Sequence, residues 1–123
     1  LIEKTMKLSL FTGTFYGTGT AQDFMDFYHA INMPYLASDL LTEGFLTNQI
    51  SAAVAAAINV ANASGIDVRK NFKPVFSSTS QGIVKDCKLS KLGYGLVIMN
   101  ADSGISAVSK FQVEVLQGFL NVT

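Results

Sequence analysis

The stretch TNQISAAVAAAINVANASG, residues 47–65, decides the fold class of this chain. Alanine has the highest helix propensity of any residue, and the run carries five alanines between positions 52 and 57. Ile50, Val54, Ala57, Ile58 and Ala61 recur at spacings of three and four, so they form one apolar stripe on a helix over residues 48–64. Thr47 is placed to cap its start, and Gly65 stands where a left-handed residue ends a helix. Ala52, Ala53, Ala55, Ala56 and Ala57 let neighbours approach closely, so this helix is expected at the centre of the fold or at an oligomer interface. Asn48, Asn59 and Asn62 mark the edge that faces water.

Upstream, residues 6–16 (MKLSLFTGTFY) alternate as a strand or as a hairpin broken at Gly13. The GTGT turn at 17–20 lacks the lysine and the closing hydroxyl residue of a phosphate loop. Thr20 is a cap for a helix over 21–31, with Asp23 beside its free amides and Phe24, Phe27, Tyr28 and Ile31 on one apolar face. Pro34 ends that segment, and a short helical piece over 35–43 leads to Gly44.

Downstream, Pro74 biases its neighbour towards extended backbone, so residues 72–76 read as a strand. Residues 77–82 (SSTSQG) are a polar turn or hairpin tip, and Ile83 and Val84 return as a short partner strand. Residues 89–99 carry β-branched side chains, yet Leu89, Leu92, Leu96 and Met99 recur at helical spacing, with Ser90 as a helix start. After a break at 101–104, Ile105, Val108, Phe111, Val115, Leu116 and Phe119 give a last helix over 105–122. The expectation is a mostly helical α+β domain spanning 1–123. It has a small N-terminal strand or hairpin, a short central hairpin, and a trimmed N-terminus because the chain begins at Leu1.

Composition narrows the function. The 123 residues are 49% hydrophobic and only 15% charged, against a usual ~25% charged. A surface so short of charge favours self-association or packing against a larger protein partner. Nine basic and nine acidic residues cancel, but not evenly. Residues 1–68 hold two basic and six acidic side chains, and residues 69–123 hold seven basic and three acidic. Arg69, Lys70, Lys73, Lys85, Lys88 and Lys91 fall together, with Phe72 and Phe76 interleaved as stacking surface, which is the pattern of a nucleic-acid contact. Lys85, Lys88 and Lys91 recur every three residues, so part of that row is expected along one helix face.

Catalytic and metal chemistry are weakly represented. His29 is the only histidine and has Asp26 three residues before it, a geometry open to a small enzyme using Asp26–His29. Cys87 is the only cysteine, which excludes an intramolecular disulfide and a multi-thiolate metal site. Flanking Lys85 and Lys88 would activate that thiol if they faced it, but a small buried thiol or an unreactive surface thiol is the favoured reading. No catalytic residue, metal site or cofactor is assigned. Asp102 is read as a cap for the last helix. No apolar stretch approaches the ~20 residues of a membrane span, so the chain is expected in the cytoplasm, or in a virion if it is a viral structural protein.

Residues 86–102, DCKLSKLGYGLVIMNAD, carry a more specific pattern. They resemble the segment D-x-x-L-S-[RK]-x-x-x-x-L-I-x-x-N-x-D of the bacterial DNA-damage-inducible protein D and related phage antirepressors. Asn71-Phe72-Lys73-Pro74-Val75 is similar to the HF-x-x-V stretch that precedes it, and the likeness extends over residues 71–119. The matching positions are Asp86, Leu89, Ser90, Lys91, Asn100 and Asp102. The resemblance implies a non-enzymatic regulatory module, phage- or damage-response-associated, that contacts DNA or protein. The chain departs from the family in its low charge and around Gly93 and Gly95. A self-associating structural protein, virion- or shell-like, is the alternative that the composition and the alanine helix support.

Overall fold

The computed structural model describes residues 21–80 and 82–123. The strand or hairpin expected over 6–16, the turn at 17–20 and the Thr20 cap lie outside the described residues, as does the side chain of Asp23. The rest is a mostly helical α+β fold with one small antiparallel sheet. Helix α1 (Ala21–Ile31) leads to a two-residue strand β1 (Tyr35–Leu36) and a 3-10 segment, Ala37–Glu43. Helix α2 (Thr47–Ser64) and a single helical turn α3 (Val68–Asn71) precede the hairpin strands β2 (Phe72–Thr79) and β3 (Gly82–Leu89). Helices α4 (Lys91–Met99) and α5 (Ser106–Leu120) complete the chain.

The alanine run folds as its sequence dictates. Gly65 adopts φ 81° and its N–H reaches back to the carbonyls of Ala61 and Asn62, a left-handed stop that a residue with a Cβ resists. Ala53, Ala57 and Ala61 are buried one turn apart, and Asn48, Asn59 and Asn62 are exposed. The helix begins one residue earlier than its threonine suggested: Leu46 is the cap position, and its N–H donates to Oε1 of Gln49 at 2.8 Å. Thr47 is therefore the first helical residue rather than the cap.

Strand order is β1-β3-β2, all antiparallel, with Phe72 opposite Leu89, Lys73 opposite Lys88 and Thr79 opposite Gly82. Side chains alternate between the two faces, and the faces have different partners. Phe72, Cys87 and Leu89 join Ala53, Ala57, Ala61, Val97 and Val108 in the main core between the sheet, α2 and α4. Val75 and Leu36 join Ala30 and Phe27 in a smaller cluster under α1. The sheet thus lies between α1 on one side and the other helices on the opposite side. Of the apolar face expected on α1, only Phe27 packs in; Phe24, Tyr28 and Ile31 are exposed, and Ala30 takes the buried position.

Two local differences from the sequence reading have simple causes. Residues 35–43 split into a strand and a 3-10 helix, because Tyr35 pairs with Leu89 and stacks on Tyr94 at 4.5 Å. The return strand is eight residues long rather than two, since alternating burial, not apolar run length, carries it through Lys85 and Lys88.

Candidate functional site

Of the 86–102 pattern, Asp86, Leu89, Ser90 and Lys91 lie at the join between β3 and α4, and Asn100 and Asp102 at the far end of α4. Ser90 caps α4: its Oγ accepts from the Gly93 N–H at 2.9 Å and donates to Oδ1 of Asn71 at 2.6 Å. The Ser90 N–H also donates to the Asn71 carbonyl at 3.1 Å. Leu89 is fully buried. Asn100 closes α4, its side-chain amide donating to the Leu96 carbonyl at 2.8 Å. Asp102 does not cap α5; its carboxylate accepts from the Gly104 N–H at 2.8 Å and closes the turn before the helix, while Ile105 is the cap position. Gly93 is required where it stands, because a Cβ there would lie 2.5 Å from the Asn71 carbonyl oxygen.

Asp86 is the polar centre of this region. Its Oδ1 accepts the main-chain N–H of Ser38 at 3.0 Å and that of Cys87 at 2.7 Å. Its Oδ2 accepts the hydroxyls of Ser38, at 2.5 Å, and of Ser77. Ser77 is itself buried. With two donors on each oxygen the carboxylate is saturated, so it ties the 3-10 segment to both hairpin strands instead of offering a free acid or a cation ligand. Nothing in the sequence pointed to Ser38 or Ser77, which meet Asp86 only through folding.

The six basic residues do not form one row. Lys85 and Lys88 lie on a strand, three residues apart and so on opposite faces, and Lys91 begins α4. The expected helix face over 85–91 is therefore corrected. Lys73 and Lys88 are directly opposite each other, and Lys70 and Lys91 flank the same end of the hairpin, where Asn71 meets Ser90. Arg69 is turned to Asp26, Nη2 to Oδ2 at 3.0 Å. Lys85 stands nearer the tip, opposite the exposed Phe76. Phe72 is in the core and is no stacking surface.

The residues considered for catalysis are not assembled. Asp26 is engaged by Arg69, and the His29 ring meets Tyr28 edge-on at 5.6 Å. Burial pushes the Cys87 thiol up to about 11, opposed in part by a hydrogen bond with the Lys73 main chain and aided by a smaller push from the Asp86 charge. Lys85 and Lys88 do not activate it. Among the described residues no group of three or more His, Cys, Asp or Glu side chains could hold a metal ion, and no helix is long and apolar enough to cross a membrane.

Two further surfaces stand out. A half-open cavity of about 440 Å³ lies between the 3-10 segment, α2 and the outer half of β3, walled by Leu41, Ile50, Val54 and Ile58. The second surface is α5. Its stripe of Val108, Phe111, Val115 and Phe119 starts buried on α4, is half-buried at Phe111, and then leaves the body altogether. Gln112 makes the last polar contact, to the Met99 carbonyl at 3.2 Å. Beyond it Val113, Val115, Leu116, Phe119 and Leu120 are exposed, Phe119 by 84%.

Fold and surfaces together define a small α+β domain with an overhanging apolar helix. No family model, curated protein or solved structure matches the chain.

Proposed function

We propose that this chain is a non-catalytic interaction module of the regulatory kind implied by the resemblance of residues 71–119, and that it self-associates through the overhanging half of α5. The observation that carries this reading is the exposure of Val115, Leu116, Phe119 and Leu120 on a helix whose first half is packed. Scattered surface apolar residues are ordinary, but a contiguous apolar stripe marks a contact. A second copy is the occupant that the charges favour. Glu114 is the only charged residue in 111–123, so two such stripes meet about a two-fold axis without a row of like charges to separate them. The test is light-scattering mass over a concentration series. The reading predicts at least twice the 13.2 kDa of one chain, collapsing to one chain in Leu116→Glu. A strictly single-chain mass at about millimolar concentration, where even a weak Kd is populated, overturns it.

A nucleic-acid contact is the second reading, favoured by Lys70, Lys73, Lys88 and Lys91 converging at the hairpin base. Its mark is binding to a mixed DNA/RNA pool that weakens steeply with salt. Binding that is absent at low salt, or indifferent to salt, removes it.

A further inference from the structure

We infer that the outer edge of β3, beside the 440 Å³ cavity, is a docking slot for an extended peptide from a partner protein, which adds as a strand in line with β1. The Ser90 N–H donates to the Asn71 carbonyl, so the pair 71–90 is of the hydrogen-bonded type, and the unbroken register makes 73–88, 75–86, 77–84 and 79–82 bonded in the same way. The N–H and C=O groups of Ile83, Lys85, Cys87 and Leu89 therefore point away from β2, towards the β1 side. β1 is only two residues long and pairs with Leu89 and Lys88. Beyond it the chain turns into the 3-10 segment, and the Cys87 N–H is taken by the Asp86 carboxylate. Among the described residues, nothing covers the main-chain groups of Ile83 and Lys85.

The other edge of the sheet differs. The same parity turns Phe72, Pro74, Phe76 and Ser78 outward on β2, and Pro74 has no N–H to offer. A proline in the middle of one edge blunts it against pairing. The β3 edge has no such guard, and it has an apolar floor beside it in Ile50, Val54 and Ile58 from α2.

These features specify the occupant's chemistry. Alternating main-chain donors and acceptors at strand spacing are satisfied by another extended backbone. The floor takes apolar side chains from alternate positions of that strand. Lys85, exposed and lining the cavity with no acidic partner among the described residues, favours an acidic residue on the incoming segment. This slot is distant in sequence from α5 and does not depend on self-association, so the test is made equally well on the Leu116→Glu chain.

The experiment is amide exchange and chemical-shift titration by NMR. In the free protein the amides of Ile83 and Lys85 exchange rapidly and those of Val84 and Asp86 slowly; slow exchange at all four overturns the open edge. The probe is a capped peptide of an aspartate followed by alternating valine and threonine. It slows Ile83 and Lys85 on binding, and N-methylation of one alternating set of its amides abolishes binding while methylation of the other set does not. Val54→Trp, which fills the floor, weakens it by at least about tenfold. Lys85→Glu weakens it too, and a lysine in place of the peptide's aspartate restores affinity. No saturation by about 1 mM, or equal loss from both methylated sets, overturns the inference. Displacement of the probe by decanoate with no effect from either methylation would assign the cavity to a small amphipathic anion instead.

Discussion

Replacing Asp86 distinguishes a structural carboxylate from one held ready for a partner. Four donors converge on it: the Ser38 and Cys87 N–H groups on Oδ1, and the Ser38 and Ser77 hydroxyls on Oδ2. Hydrogen bonds to a charged group contribute about 1.5–3 kcal/mol each, and an unmet buried donor costs about 1–3 kcal/mol. The two hydroxyls can rotate towards other acceptors, so the lasting loss in Asp86→Ala falls on the two main-chain N–H groups. Asp86→Ala is therefore expected to lower unfolding free energy by about 3–5 kcal/mol, a large share of the ~5–15 kcal/mol of a whole domain. Asp86→Asn keeps an oxygen where both N–H groups point and places its NH2 against hydroxyls that can turn to accept. It is expected to cost only about 1–2 kcal/mol. Urea unfolding read by circular dichroism, with m held equal among the variants, gives both numbers. An alanine variant within about 0.5 kcal/mol of the parent, the range of ordinary surface substitutions, refutes the reasoning, and so does an asparagine variant as damaging as alanine.

Gly93→Ala drives a methyl group into the Asn71 carbonyl, 2.5 Å away, and is expected to cost about 1–3 kcal/mol in the same urea assay. A neutral result would show that the α3–α4 approach relaxes freely. Leu116→Glu and Phe119→Glu are expected to reduce the scattering mass to one chain while changing stability by no more than about 0.5 kcal/mol. Cys87 should label with a thiol reagent at pH 8 only at the rate of unfolding. The folded thiol titrates at about 11 against an ordinary 9.0. Below 9 both states keep the proton; between 9 and 11 the unfolded chain alone loses it, so stability falls as pH rises, by up to about 1.4 kcal/mol per unit. Cys87→Ala should remove that part of the slope, and an unchanged slope would mean that the thiol is solvated.

Local signals were legible wherever a residue's neighbours in sequence are also its neighbours in space. The alanine helix, its Gly65 stop, the start of α4 at Ser90 and the end of α1 at Ile31 follow from spacing and capping. Pro74 and the polar tip mark the hairpin, but its strands run beyond the apolar residues that signal them. The lysines at 85 and 88 interrupt the apolar run, and only the paired strand shows that they alternate with Asp86 and Cys87 across two faces. A period of three read on a helix became opposite faces on a strand. The Asp86 network was not legible, because Ser38 lies 48 residues away in sequence and Ser77 nine.

The pattern over 86–102 illustrates why a local resemblance and a binding site are different things. Asp86 fastens the strands, Leu89 fills the core, Ser90 starts α4, Asn100 ends it and Asp102 closes the next turn. These are the requirements of a strand-to-helix-to-turn passage, and they use up the polar atoms that a ligand would need. Of the matching positions Lys91 and Asp102 are exposed, and Lys91 bears its charge outward at the hairpin base. A shared pattern of this kind constrains how the segment folds, whereas contacts must be made by what the passage leaves uncovered. Here that is the end of α5, the β3 edge and the lysines around the hairpin base. Low overall charge follows from the same economy: a chain with 15% charged residues has little polar surface to spend on solubility, so its apolar stripe and its open strand edge are most readily satisfied by another polypeptide.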